Sequence, residues 1–341
     1  MVKMINRAIA LLSIFVLNGC TFSRDQIFEE RENVHAIETI LGLDSIVLEW
    51  NLYPERWNMY GDTLWIVNTR DSLFLSGYNL KNDSLFCYWG HIGNGPDDYV
   101  APGIIEGAIN GLKLYGNTEC KVIGYKFDDG MPKGISRGKL PVWNKDRGIP
   151  KPYTRISAID DSIGIGTYFF PRKVGADVVN IKSGELLSEI TLGIDQSEQR
   201  LSEPYQFKIA STSHIVVVAY RYINRMEVYR INEGYDIEPY YAIGNSPDQS
   251  GLYEADRDDE MVKFYSDVQC DDRYIYLLWH GTTERELDQS PTHLLVYDIT
   301  TGENIKNIVL DSCFTKLLID RNGLIFLWSP LTENNLYSLN L

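Results

Sequence analysis

The sequence predicts an all-β fold, a six-bladed β-propeller of four-stranded antiparallel blades. Three observations carry this: a repeat of about fifty residues, a turn chemistry that recurs within it, and an unmatched strand ahead of an array whose last unit is one strand short. The repeat opens each time on a polar turn that runs into alternating apolar residues. It appears as Gly61-Asp62-Thr63-Leu64-Trp65-Ile66, Asn110-Gly111-Leu112-Lys113-Leu114, Asp160-Asp161-Ser162-Ile163, Thr212-Ser213-His214-Ile215, Asp271-Asp272-Arg273-Tyr274-Ile275 and Asp320-Arg321-Asn322-Gly323-Leu324. Anchored on Leu64, Leu112, Ile163, Ile215, Ile275 and Leu324, the intervals are 48, 51, 52, 60 and 49 residues. Self-similarity at such a spacing marks a repeat architecture, in which each unit buries its apolar faces only by stacking on its neighbours.

Each unit then carries a second strand element of the form Tyr-x-Leu/Ile/Phe: Tyr78 with Leu80, Tyr125 with Phe127, Tyr229 with Ile231, Tyr297 with Ile299, Tyr337 with Leu339. Val179 with Ile181 stands in the third unit. Tight turns follow at Asn82-Asp83, Asp129-Gly130, Ser183-Gly184, Glu233-Gly234 and Thr301-Gly302, where Gly and Asp supply the positive φ that a hairpin needs. A closing apolar run such as Leu186–Ile190 and a run ahead of each anchor bring the count to four strands, which is one propeller blade. The last unit ends at Leu341 without its fourth strand, and Ser45–Trp50 precedes the first unit as an orphan. Pairing the two completes six blades and removes an open sheet edge.

Ahead of the array stands an export signal. Lys3 and Arg7 precede an apolar stretch, Ala8–Leu17, broken only by Ser13. Ten helical residues rise about 15 Å, half of what a hydrocarbon core requires, so the stretch is a leader and not a membrane span. It ends in Leu17-Asn18-Gly19-Cys20, which resembles a lipobox. The resemblance implies cleavage before Cys20 and lipid on Cys20, with several acyl chains holding the protein stably at a membrane of the cell envelope, the outer membrane being the expected one. The expected organisation is a signal peptide over 1–19, a lipidated cysteine and tether over 20–44, helical from Gln26 to Leu41, and the propeller over 45–341.

Cleavage leaves 322 residues (341 − 19) and, with Lys3 and Arg7 gone, 30 basic against 47 acidic side chains, a formal charge of −17. That balance excludes nucleic acid and direct docking on an anionic bilayer, both of which need clustered Lys and Arg. Cys87, Cys120, Cys270 and Cys313 are widely spaced with no CxxC, so zinc and thioredoxin-type chemistry are not expected, and buried free thiols are.

Units one and four share an exit, Ile92-Gly93-Asn94-Gly95-Pro96-Asp97 and Ile243-Gly244-Asn245-Ser246-Pro247-Asp248. With Gly90 ahead of the first copy, it resembles the Gly-x-Gly-x-Gly-Pro signature of the TolB-like six-bladed propeller lipoproteins. The resemblance implies the fold and an envelope location, and it brings no catalytic residues with it. A phosphate cradle is not expected at Gly90–Pro96, because Asp97-Asp98-Tyr99 follows where a P-loop has Lys and a helix.

No catalytic or metal site is expected from local motifs. His35, His91, His214, His280 and His293 lack ligand spacing, no nucleophile elbow is present, and Asp256-Arg257-Asp258-Asp259-Glu260 reads as a solvated loop. The longer connections, between the second and third strands and between blades, emerge on one face, where function usually resides. Tyr168, Tyr220, Trp279 and Trp328, interleaved with Arg172, Arg221 and His280, are expected to ring that face, and aromatics beside polar donors suit sugars or peptides. The expected function is a non-catalytic binding module for a glycan, a peptide or an envelope protein, with no cofactor beyond the lipid on Cys20. Two alternatives stand beside it: a lactonase-like, metal-dependent hydrolase whose Glu, Asp and Asn converge at the axis, and a structural partner of an outer-membrane assembly.

Overall fold

The computed structural model describes residues 28–32, 36–40, 42–48, 54, 56–70, 72–82, 84–95, 98–108, 110–128, 131–144, 149–170, 173–194, 206–244 and 260–341. They form six antiparallel blades. Blade one is Arg56–Tyr60, Thr63–Val67, Leu73–Asn79 and Ser84–His91; blade two is Pro102–Glu106, Leu112–Gly116, Lys121–Asp128 and Met131–Lys139. Blade three is Tyr153–Ala158, Ile163–Phe170, Lys173–Asn180 and Glu185–Ile190; blade four is Phe207–Ser211, Ile215–Tyr220, Met226–Ile231 and Ile237–Ile243. Blade five is Val262–Cys270, Tyr274–Thr283, Thr292–Asp298 and Asn304–Leu310. Blade six is Lys316–Ile319, Ile325–Trp328 and Asn335–Leu339, completed by Asp44–Val47 from the front of the chain.

That last pairing closes the ring as the orphan strand predicted: Leu336 stands opposite Ile46 and Tyr337 opposite Ser45. The first strand of every blade contacts the first strands of both neighbouring blades, so six innermost strands surround one axis. Blades two and three go further and pair there in parallel, Ile156 opposite Ile105 and Ser157 opposite Glu106. Interior strands are apolar on both sides because each blade is covered on both faces. Ile215–Tyr220 is buried from its second residue to its last. The anchor turns close as their residues require, with Asp160, Asp271 and Asp320 carboxylates accepting backbone N–H groups two to four residues on. Gly184, Gly234 and Gly302 take the positive φ expected of them.

The segment before blade six departs from expectation. In place of a helix over Gln26–Leu41, its described residues are extended, and two short strands add in parallel to outer edges: Glu29–Arg31 beside Ile237–Ile243 of blade four and Glu38–Ile40 beside Asn304–Leu310 of blade five. The physical reason is the edge itself. An outermost strand presents unpaired N–H and C=O groups, and an extended segment satisfies them where an isolated helix would leave them to water.

Side chains fix this strap. Phe28 is buried in the core between blades three and four, edge-on to Tyr229 at 5.2 Å. Glu30 takes a bidentate pair from Arg225 at 2.7 and 2.8 Å, while Arg225 Nε donates to the fully buried Glu227 at 2.9 Å. Arg31 lies over the Tyr241 ring at 4.0 Å. Truncating Phe28 to alanine should cost about 3 kcal/mol locally, by lost transfer and a residual cavity. The expected result is faster limited proteolysis within 28–43 while the cleavage rate elsewhere in the blades is unchanged.

Candidate functional site

Because the first strands line the axis, whatever side chains they turn inward meet there. Each supplies one charged residue: Arg56 from blade one, Glu106 from two, Arg155 from three, Lys208 from four, Asp267 from five and Lys316 from six. They border a cavity of about 270 Å³. Its remaining wall is Trp57, Thr154, Thr167, Tyr168, Phe169, Val174, Gln206, Phe207 and Arg221. Thr167–Phe169 and Val174 flank the turn between the second and third strands of blade three, and Gln206 leads into blade four. Both positions belong to the end of the channel where the longer connections emerge.

Arg155 organises the charges. Its Nε and Nη2 donate to Glu106 Oε2, and its Nη1 donates to Asp267 Oδ1 at 2.9 Å, so one guanidinium spans blades two, three and five. Asp267 also accepts the N–H groups of Val268 at 3.1 Å and Leu317 at 3.0 Å. Burial opposes ionisation of Asp267, but Arg155, Lys316, Lys208 and the Leu317 N–H outweigh it and hold the carboxyl below its usual range. Arg56 Nε donates to the Thr154 carbonyl at 3.0 Å.

Both acids pair with Arg155, and Asp267 also attracts Lys316 and Lys208. Among the described residues, four basic and two acidic side chains border the cavity. Lys208 is half-buried beside the channel, and its ammonium makes no hydrogen bond or ion pair among the described residues. Burial first, then repulsion from Lys316, Arg155 and Arg56, push its pKa well below that of an ordinary lysine despite the attraction of Asp267. Lys316 is lowered to about 8, by burial and by Arg56 and Arg155 against the pull of Asp267 and Glu106.

Of the residues expected to ring the face, only Tyr168 and Arg221 border this cavity. Arg221 is paired with Glu284 at 2.6 Å, and Tyr168 packs under Lys151, whose ammonium is 4.1 Å from the ring centroid. Arg172 lies outside the described residues. The other members turn into blade interfaces and do not form an exposed ring. Tyr220 is fully buried against Phe207 and donates to Glu227 at 3.0 Å. Trp328 is buried beside Trp57 and Leu48 and donates to the Glu333 carbonyl at 3.2 Å. Trp279 is half-buried, edge-on to His293 at 5.2 Å.

His280 is not at a strand exit, because the second strand of blade five runs on to Thr283. It is buried between Ser266 and Thr292, and burial lowers its pKa to about 3, so it is neutral at physiological pH. The aromatic edges obey packing: a ring at a strand end between two blades buries more apolar area inward than outward.

The remaining motifs resolve structurally. His91 and His214 are exposed, His293 bonds to Asn307 at 2.9 Å, and His35 lies outside the described residues, as do residues 256–259 of the acidic run. No three His, Cys, Asp or Glu side chains converge among the described residues. Cys87, Cys120, Cys270 and Cys313 are free thiols, and burial raises Cys87 and Cys313 to about 11. In the Gly-Pro loop the Gly95 N–H is taken by the Asp98 carboxylate at 3.0 Å and Gly93 N–H by the Tyr99 carbonyl at 3.1 Å. These amides close a crossover between blades one and two.

The axial charges were missed because each is one polar residue among others in a short strand, with no local spacing to set it apart. Read across units, however, Arg56-Trp57, Glu106 after Ile104-Ile105, Arg155-Ile156, Lys208-Ile209, Asp267-Val268 and Lys316-Leu317 form a register: one charge per unit in the strand ahead of each anchor.

Fold and cavity together define the class, a closed six-bladed propeller with a charged axial pocket. Residues 194–322 match the family model of the TolB-like 6-blade propeller-like proteins, so the resemblance read from the Gly-Pro exits holds over that stretch. The chain matches no curated protein in sequence. Among solved structures, a Bacteroides fragilis protein described as exported is 12% identical, with 91% of this chain and 97% of that one covered at a TM-score of 0.52. A luciferin-regenerating enzyme is 10% identical (88% and 96% covered, TM-score 0.53). A calcium-binding regucalcin from Agrobacterium tumefaciens is also 10% identical (92% and 96%, 0.50). At these identities the likeness concerns the fold.

Proposed function

We propose that the protein is a non-catalytic binding module of the cell envelope, held to the membrane by lipid on Cys20, and that it receives a small ligand, or the end of a glycan or peptide chain, in the axial cavity. The observation that carries this is the cavity's construction. Six blades each place one charged side chain at its border, while Trp57, Phe169, Val174 and Phe207 form an apolar wall, the combination expected of a ligand pocket. The alternative of an axial metal hydrolase is disfavoured by the same geometry. Both axial carboxylates are engaged by Arg155, and a divalent cation would stand among Arg56, Lys208 and Lys316.

Filling the cavity is the test. Val174→Trp, which places an indole in the apolar wall, is expected to abolish binding of whatever ligand a glycan, peptide and metabolite panel identifies by thermal shift, with the fold retained by circular dichroism. Ligand binding undiminished in that variant would place the site elsewhere. The anchor is tested separately: Cys20→Ser should move the protein from the membrane fraction to the soluble fraction.

A further inference from the structure

We propose that the outer edge of blade two is a docking surface for an extended, acidic peptide segment of a partner protein. The segment adds to Met131–Lys139 as a further strand and sets its carboxylates on Lys126, Lys133, Arg137 and Lys139. This surface is separate from the axial cavity and does not depend on it.

Charge singles this strand out. In a chain with 47 acidic against 32 basic side chains, Met131–Lys139 carries Lys133, Arg137 and Lys139 and no acid. The outer strands of blades three, four and six carry acids instead, Glu185 and Glu189, Glu238, and Asp44, and that of blade five carries Lys306 alone. All three cations of the blade-two strand are exposed, as is Lys126, which stands directly opposite Lys133. Like charges opposite one another weaken a strand pair, and a carboxylate brought between them relieves the repulsion. At the far end the Lys139 N–H donates to the Ile181 carbonyl at 3.0 Å, which places exposed Lys182 beside the same stretch. Asp128 stands opposite Met131 at one end and Glu185 follows Gly184 near Lys139 at the other, so the basic stretch is bounded by acids.

The strand is also the last of its sheet among the described residues, so it turns a row of backbone N–H and C=O groups outward. This fold already fills such edges with short added strands. Glu29–Arg31 lies along Ile237–Ile243 of blade four and Glu38–Ile40 along Asn304–Leu310 of blade five. Both additions begin with glutamate, and Glu30 is held by the Arg225 guanidinium at 2.7 and 2.8 Å. Blade two presents the same kind of edge with cations beside it. At about 3.4 Å per residue its nine residues span about 30 Å, room for an added segment of about six to eight residues.

Lysines on an edge also blunt it against self-pairing. Here, however, Met131 and Ile135 are 70% and 46% exposed among the cations, and apolar side chains on an edge favour pairing. Ile135 stands at a bulge, where Gly124 pairs with Ser136 and Tyr125 with Gly134. The cations repel a second copy of the same edge while the apolar side chains reward a strand that can approach, and together they select an acidic one. The register states what that strand must carry. Lys126 and Lys133 lie on one face of the blade, and Arg137 and Lys139, opposite Ile123 and Lys121, lie on the other. Side chains of an added strand alternate between the two faces, so the partner needs carboxylates at adjacent positions, as in Glu29-Glu30, with apolar residues between such pairs.

The experiment is fluorescence anisotropy of labelled peptides with the purified protein. The probes are the acidic Val-Glu-Glu-Val-Glu-Glu-Val, its counterpart with Lys for Glu, and an acidic version with Pro for the central Val, which keeps the charge but lacks the N–H and the freedom to pair along an edge. The expected result is that the acidic peptide binds about tenfold or more tighter than the other two, and more weakly as salt is raised. Lys133→Glu with Arg137→Glu should abolish that binding with the fold retained by circular dichroism, since both side chains are exposed. Val174→Trp, at the axial cavity, should leave it unchanged, so failure of this proposal and failure of the cavity reading are told apart. Equal binding of the acidic and the proline peptides would overturn strand addition, and equal binding of the acidic and basic peptides would overturn the role of the cations. No peptide binding at millimolar concentration would overturn the proposal. So would capture of phosphatidylglycerol vesicles, lost in the double variant, by a protein that binds no peptide, which assigns the patch to anionic lipid. Should the double variant fail to fold, Lys133→Gln with Arg137→Gln provides the same comparison, with a loss of about tenfold expected.

Discussion

Arg155→Met is expected to destabilise the propeller by about 3–5 kcal/mol, the cost of leaving buried charges without their partner. Two carboxylates lose a partner at once: Glu106 and Asp267 are both nearly inaccessible, and both are bonded by this guanidinium. Equilibrium urea unfolding measures it, with a lower midpoint and an unchanged slope. The triple change Arg155→Met with Glu106→Gln and Asp267→Asn should recover much of the loss, because no unpaired acid then remains. Lys208→Met provides the contrast at the same axis. It removes a desolvated amine that bonds to nothing among the described residues, so it should be neutral or stabilising. If Arg155→Met proved as harmless as Lys208→Met, the bridge across the channel would contribute nothing to stability.

Deleting residues 44–48 is expected to have the larger effect and to abolish cooperative unfolding of the ring. The deletion removes the strand paired with Asn335–Leu339, the Leu48 side chain buried beside Trp57 and Trp328, and the Leu48 N–H bond to the Asn334 carbonyl at 2.8 Å. The strand left at the edge of blade six would offer a row of unpaired backbone groups to other chains. Differential scanning calorimetry should show a lowered, broadened transition, and light scattering should show association. Appending residues 44–48 after Leu341 through a short flexible linker should restore the single transition, because the edge is filled by the same strand from the other terminus. No recovery would mean that the segment acts through its path along blades four and five and not through the pairing itself.

Much of the fold was legible because a propeller repeats its instructions. Each anchor turn carries Asp, Asn or Gly where the backbone needs them, and six noisy copies reinforce one another. Closure was legible from arithmetic, a spare strand at one end and a missing strand at the other. The strap was not. Residues 29–31 and 38–40 carry no alternation because they add to blade edges, where backbone groups do the pairing and side chains need not alternate. Its anchors, Phe28 with Tyr229 and Glu30 with Arg225, join positions about two hundred residues apart.

The expected aromatic ring does not assemble on the surface for a related reason. Tyr220 and Trp328 lie at strand ends, as expected, but strand ends between blades are interior, so those rings pack and do not face solvent. His280 fell inside a strand because blade five is built longer than its neighbours. Arg56, Glu106, Arg155, Lys208, Asp267 and Lys316 lie in six separate strands about fifty residues apart, and only closure makes them neighbours.

The sequence by itself therefore determined the repeat, the turns, the four-stranded units and the strand that closes the ring, because these depend on local periodicity and backbone conformation. Tertiary structure decided the strap, the inward turn of the aromatic rings and the gathering of six charges at one axis. Those depend on which surfaces meet when the ring closes, and side chains some fifty residues apart in sequence become a single electrostatic site only in that enclosed, poorly solvated channel.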